Sequence, residues 1–265
     1  MIKKSPNEFI FQIFSLLIII IVVHAAYVVV IRPNADAILE YQAEQIALNK
    51  DFVPEKSVYV LVRDFEQEAC FILMFWALSI IGYKFTQILR ERSLLESDVI
   101  EAKEGIKFLP QDVKDLFRKL QSLPLEKQNY LLPRALQVSI ERFNSSQNVQ
   151  DVAQAMQSAC ESENERLESE LSIIRYIAWA IPSVGFLGTV RGIGDALGQA
   201  HKAVEGNIIG VTESLGVAFN STFIALCISI VLMFIVHQLQ LMQERFVFET
   251  QEYCNRNLIR HLQSD

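Results

Sequence analysis

The sequence predicts an all-α fold, a polytopic membrane helical bundle with a helical cytoplasmic domain. Long apolar runs alternate with charged, helix-forming stretches, so 51% of the 265 residues are hydrophobic while 21% are charged. Mean hydropathy is +0.24, too apolar for an ordinary soluble chain. Several of the apolar runs reach the ~20 residues that a spanning helix needs.

Residues 9–31 form the first run, broken only by Gln12, Ser15 and His24. It exceeds the ~7–15 residue core of a cleaved signal and no small-x-small site follows, so it reads as a retained membrane helix. His24 reads as a packed polar residue, not a proton relay. Residues 32–68 read as an outer loop, with a helix over 34–49, then Pro54 and a second short element. Ile38, Tyr41 and Ile46 have ordinary helix-packing spacing. The second segment, 69–89, loses its apolar character near Tyr83, where Lys84 can snorkel.

Residues 90–172 read as helical, punctuated by Pro110, Pro124 and Pro133, with Leu116, Leu120 and Leu123 as an apolar stripe. A helix starts near Val149, with Asn148 as its N-cap, and shows no obvious break before Pro182. Most of its charged face reads as solvated. The third segment lies in 173–200 and the fourth in 208–239. Both read as weaker in hydropathy, rich in small residues, and carry Arg175, Arg191, Asp195 and Glu213, which suits helices inside a bundle. Residues 240–262 keep a helical pattern. Leu241, Phe246, Phe248, Leu258 and Leu262 make a face expected to pack on the earlier cytoplasmic helices, with Arg245, Arg256 and Arg260 outside it.

The organisation is therefore two N-terminal membrane helices with the outer loop (1–89), a cytoplasmic helical domain (90–172), two inner membrane helices (173–239) and a cytoplasmic helical extension (240–265). Basic residues set the orientation. Lys3 and Lys4 lead the first helix, and Lys84, Arg90, Arg92, Lys103 and Lys107 follow the second. Arg32, Lys50, Lys56 and Arg63 of the outer loop stand among more numerous acids. This distribution puts both termini in the cytoplasm.

Composition excludes several classes. The net charge of −7 argues against nucleic-acid binding. Cys70, Cys160, Cys227 and Cys254 are scattered, as are His24, His201, His237 and His261, so neither a disulfide framework nor a metal site is indicated. No nucleophile–base pair is visible; the chain does not read as an enzyme and calls for no cofactor.

The informative stretch is 181–192, IPSVGFLGTVRG. At 100° per residue, Pro182, Gly185, Thr189, Gly192 and Ala196 share a helix face, and Gly188 with Gly192 makes a GxxxG pair. In the fourth segment Ala218, Thr222, Ala225 and Ser229 do the same. One such stripe is ordinary helix packing, and a membrane threonine often bonds its own backbone one turn back. Two stripes on adjacent helices, each with a central threonine, read as an ion pathway. Ser221 and Asn220 beside Thr222 are counted with that pathway. Gly185, Gly188, Gly192, Pro182, Ala218 and Ala225 are counted as packing positions. Arg191 and Asp195, four apart and well around the helix from Thr189, read as a structural charge pair. Glu213, near the outer end of its helix, reads as flanking an ion entrance or pairing with a group such as Arg191. No suitable carboxylate of this chain is expected level with the two threonines.

These residues resemble the signature of the MotA/TolQ/ExbB proton-channel family: a proline, then a GLxGTVxG core, on the membrane helix after the cytoplasmic domain. Pro182, Gly185, Gly188, Thr189, Val190 and Gly192 fit it, as does Thr222 in AFNSTFIA. The close resemblance covers roughly 165–235. Arg191 stands where the family is commonly apolar or aromatic, and Asn220 and Ser221 are more polar than usual. The resemblance implies a homopentameric ring around a dimer of a single-span MotB/TolR/ExbD-like protein with a membrane aspartate, in the bacterial inner membrane. It implies coupling of proton, or sodium, flow to mechanical work, with Thr189 and Thr222 bonding the carboxylate or the passing ion. A non-conducting membrane scaffold or sensor, binding partners through the cytoplasmic helices, is the reading from another class.

Overall fold

The computed structural model describes residues 6–49, 52, 55, 57–97, 100, 108 and 110–262. Lys3, Lys4, Lys50, Pro54, Lys56, Lys103 and Lys107 lie outside the described residues. In chain order the helices are α1 (Pro6–Ala26), α2 (Arg32–Leu48), α3 (Val58–Leu61), α4 (Phe65–Glu96), α5 (Pro110–Gln121), α6 (Leu125–Gln128), α7 (Leu131–Ser146), α8 (Val149–Glu170), α9 (Ser172–Gly198), α10 (Ala200–Val204) and α11 (Ile209–Asn257). Among the described residues, four helical stretches are long and apolar enough to cross a membrane: Glu8–Ile46, Phe65–Glu96, Val149–Gly198 and Ile209–His261. The last reaches a mean hydropathy of 2.4 and the second 1.6, so the fourth segment is not the weaker one expected; Phe219, Phe223, Ile230 and Phe234 supply that apolar surface.

The chain divides into two compact units, residues 1–81 with 173–236, and residues 82–172 with 237–265.

In the first unit, α1 does not stop at Arg32–Pro33 as expected. It passes through a π-helical turn, Tyr27–Ile31, straight into α2. Pro33 has no N–H, so the carbonyl of Val29 loses its helical donor. The wider turn absorbs this, with the Arg32 N–H reaching back to the carbonyl of Tyr27. Trp76 of α4 donates to the carbonyl of Gln12 in α1 at 3.0 Å, and Cys70 of α4 approaches the carbonyl of Ile181 in α9 at 3.6 Å. Pro182 lies inside α9, which continues past it. Phe9, Phe14, Ile21, Phe186, Leu187, Phe223 and Ile230 are exposed, an apolar surface suited to helices in a membrane.

In the second unit, Leu131, Leu132, Leu136, Ile140 and Phe143 of α7 are buried with Val152, Met156, Cys160 and Leu167 of α8. Asn148 caps α8, its side-chain oxygen accepting the Gln150 N–H at 2.9 Å. Pro110 opens α5, Pro124 is the N-cap of α6 and Pro133 sits in the first turn of α7, places where a missing N–H costs nothing. A one-residue turn at Leu171 separates α8 from α9, so that helix is not unbroken up to Pro182.

The part of α11 in this unit buries Gln243, Phe246, Val247, Thr250, Tyr253 and Cys254, and the Tyr253 hydroxyl accepts the Ile100 N–H at 3.2 Å. Phe248 is 64% exposed, against expectation. It lies two residues, some 200°, around from Phe246, so both cannot face one core.

Candidate functional site

Pairing between α9 and α11 runs antiparallel, the partner number falling as the first rises. Ala178 meets Ser229, Thr189 meets Ala218 and Thr222, and Gln199 meets Ser214. Glycines allow this approach. A Cβ on Gly192 would lie 2.8 Å from that of Ala218 and 2.7 Å from the carbonyl of Ser214. One on Gly188 would lie 2.6 Å from Ser221 Cβ, and one on Gly185 would strike Ala225. Gly185, Gly188, Gly192, Ala196, Ala218 and Ala225 are all buried along this seam, while Pro182 is half-buried.

Thr189 and Thr222 sit at the edge of the seam, half-buried. Neither bonds its own backbone one turn back. Thr189 Oγ1 donates to the carbonyl of Ala218 at 2.9 Å, and Thr222 Oγ1 to that of Gly185 at 3.1 Å. Each threonine thus reaches the carbonyl four residues before the other. The two hydroxyls also contact one another. Two hydroxyls carry two protons for these three contacts. Either Thr222 donates to Thr189 and Thr189 to Ala218, or Thr189 donates to Thr222 and Thr222 to Gly185. The pair is a short hydroxyl chain with two proton arrangements, and its free lone pairs can accept from an outside donor.

Ser221 lies deeper than that edge. It is fully buried against Gly188, and its hydroxyl is shared between the carbonyls of Gly185 (3.2 Å) and Ala218 (2.9 Å). Asn220 is half-buried, 200° around from Thr222, and is not brought to the hydroxyl pair.

Arg191 does not pair with Asp195. Its Nε and Nη2 each donate to a carboxylate oxygen of Glu66 at 2.8 Å, a two-pronged contact from α9 to the first turn of α4. A planar guanidinium prefers that bidentate match to a monodentate reach along its own helix. Asp195 and Glu213 are exposed, and Glu213 is not Arg191's partner. Glu66 passes near the threonines with both of its carboxylate oxygens held by Arg191. Its Cγ lies 3.2 Å from the point where a Gly188 Cβ would stand, one residue before Thr189.

Glu68, two residues on, is buried, held by Arg32 on one oxygen and by His24 Nδ1 at 2.7 Å on the other; the His24 side chain is itself 57% exposed, so it is paired but not packed as expected. Just ahead of α4, Asp64 is 13% exposed. Burial pushes its carboxyl above the ordinary aspartate value, while Arg63 and Arg191 pull it down.

The second unit holds a charge network that the sequence reading missed. Lys84, 2% exposed, does not snorkel but pairs with Glu170. Glu170 is also bound by Arg166 at 2.7 Å, and Arg166 and Arg134 converge on Glu163, itself 2% exposed. Glu91 accepts the Leu131 N–H at 3.0 Å, capping α7 from another helix. The Glu163–Arg166–Glu170 spacing, three and four apart, was the available signal. Glu161, Glu165 and Glu168 of the same helix are exposed.

No curated protein and no solved structure matches the chain. A family model described as the MotA/TolQ/ExbB proton channel family matches residues 127–252, which take in α9, the seam and both threonines. That family is one of transport, not enzymes, and its membrane setting agrees with the apolar helices. The chain carries a domain of the MotA/TolQ/ExbB proton channel family at residues 127–252, and its described residues include four helices long and apolar enough to cross a membrane.

Proposed function

We propose that the chain is the ring subunit of a 5:2 rotary motor, driven by protons or sodium, in which five copies surround a dimer of a MotB/TolR/ExbD-like single-span protein. Ion flow across the bacterial inner membrane is coupled to mechanical work, and both termini of this chain are cytoplasmic. The observation that carries the reading is the reciprocal Thr189–Thr222 pair at the edge of a tight α9–α11 seam, inside the matched segment.

The partner supplies the ionisable carboxylate. Within this chain Glu66 and Glu68, in the first turn of α4, are already engaged by Arg191 and by Arg32 with His24. A charged carboxylate at membrane depth is costly, so its protonation changes which contacts it favours. The membrane potential contributes about 2.3 kcal/mol per charge per 100 mV. The hydroxyl pair accepts from the protonated aspartate on its free lone pairs, and donates to the ionised one when a hydroxyl turns away from its backbone carbonyl. Alternation between these states steps the dimer against the ring. Thr189, Thr222 and, behind them, Ser221 serve the ion pathway. Asn220, on the far side of α11, is assigned to the pathway only through its place beside Ser221 in the sequence.

Purifying the tagged chain from its native membrane tests the partnership. A co-purifying single-span protein with a membrane aspartate, in a ratio of two to five, is the expected result. Recovery of soluble partners alone, with no ion flux, would favour the scaffold.

A further inference from the structure

The pore-lining helix carries an arginine where the family is commonly apolar, and that arginine has a definite partner. Glu66 packs its Cγ over Gly188, on the same glycine that makes room for Ser221. From Ser221 a polar string continues through the Gly185 carbonyl to Thr222 and Thr189. An unpaired carboxylate at that position would be a second ionisable site beside the hydroxyl pair, present whether or not any partner is bound. Arg191 occupies both oxygens of Glu66. Asp64 and Asp195 both act electrostatically on Arg191, and Arg63, the further cation nearby, lies against Asp64 at 3.7 Å. Glu68 is taken by Arg32 and His24. Arg191 is therefore the cation that neutralises Glu66.

We infer that Arg191 is a fixed counter-ion that silences the chain's own Glu66, sealing the ring subunit against ion flow until a partner brings its carboxylate. This rests on the reading of the hydroxyl pair as the ion pathway. It assigns a role to the one residue of the GTVRG core that the family pattern does not explain. Arg191 is a positioning residue: it acts through Glu66 and touches no ion. The pair also ties the start of α4 to α9, so a purely structural role would show as lost assembly, whereas a seal shows as leak that depends on Glu66.

The test uses the full-length chain alone in phosphatidylethanolamine–phosphatidylglycerol vesicles. A potassium diffusion potential drives protons, and a trapped pH dye reads their entry. Protein content and helicity are matched between samples. The wild-type chain should be tight. Arg191→Leu should leak about tenfold faster, and Arg191→Gln, closer in shape and polarity, should do the same. Glu66→Gln/Arg191→Leu should return to the wild-type rate. The inference is overturned if both Arg191 variants are as tight as wild type, or if the double variant leaks like Arg191→Leu. Adding Thr189→Val and Thr222→Val to Arg191→Leu separates the two claims. Loss of the leak supports both. A persisting leak that Glu66→Gln still abolishes keeps the role of Arg191 and removes the hydroxyl pair from the path.

Discussion

Ser229 of α11 donates its hydroxyl at 3.1 Å to the carbonyl of Ala178 in α9, four residues before Pro182. Pro182 has no N–H, so that carbonyl is the one its ring orphans within the helix. With no water in lipid, an orphan must be satisfied by protein, and a neighbouring serine does so. Ser229→Ala should therefore cost about 1 kcal/mol, read from unfolding of the detergent-solubilised chain. In a Pro182→Ala background the helix supplies its own donor and the cost should shrink towards zero. An unchanged cost in that background would sink the explanation.

The glycines of α9 should divide sharply. A Cβ on Gly192 meets Ser214 and Ala218 below 3 Å, while one on Gly194 meets nothing within 4 Å. Gly192→Ala should destabilise by about 1–3 kcal/mol through overpacking. Gly194→Ala should be neutral or slightly stabilising, because alanine is the better helix former. Thermal midpoints of the two variants check this, and equal effects would contradict the seam.

In the second unit, Glu163 is buried between Arg134 and Arg166. Glu163→Ala leaves two guanidiniums without their shared carboxylate and should cost about 3–5 kcal/mol. Glu161→Ala, on the exposed face, should stay within about 0.5 kcal/mol. Denaturant unfolding distinguishes them; similar values would mean that the network contributes little.

Asp64 should leave a signature in pH. Burial holds its folded pKa above the ordinary value in spite of Arg63 and Arg191. A raised folded value favours the protonated form in the fold. That stabilisation is complete below the unfolded value of about 3.9 and is lost as pH rises through the folded one. The thermal midpoint should thus gain more on acidification from neutral pH in wild type than in Asp64→Asn. Parallel profiles would show that Asp64 is not the cause.

Much of the seam is legible in the sequence because its signals are local. The stripes through Gly185, Gly192, Ala218 and Ala225 follow from helix periodicity, and the start of α8 follows from Asn148 as a cap. What the sequence conceals is choice of partner at long range. Arg191 has an acid four residues away and ignores it for Glu66, 125 residues distant. Lys84 finds Glu170, 86 residues on, and Arg32 finds Glu68, 36 residues on. Nothing in periodicity ranks such candidates, because burial and fork geometry decide among them. The helix through Pro33 is a different failure: a local breaker was outweighed when a π-helical turn absorbed the missing donor.

The central claim is that Thr189 and Thr222 lie on the ion path. Its most direct measurement is ion flux through membrane vesicles holding this chain together with its co-purified single-span partner. Thr189→Val/Thr222→Val keeps side-chain volume and removes both hydroxyls, and the complex should still assemble. Flux should fall at least about tenfold, while Ser183→Ala, which removes an exposed hydroxyl bonded only to its own helix, should leave it unchanged. Full flux in an assembled complex without either hydroxyl would contradict the account.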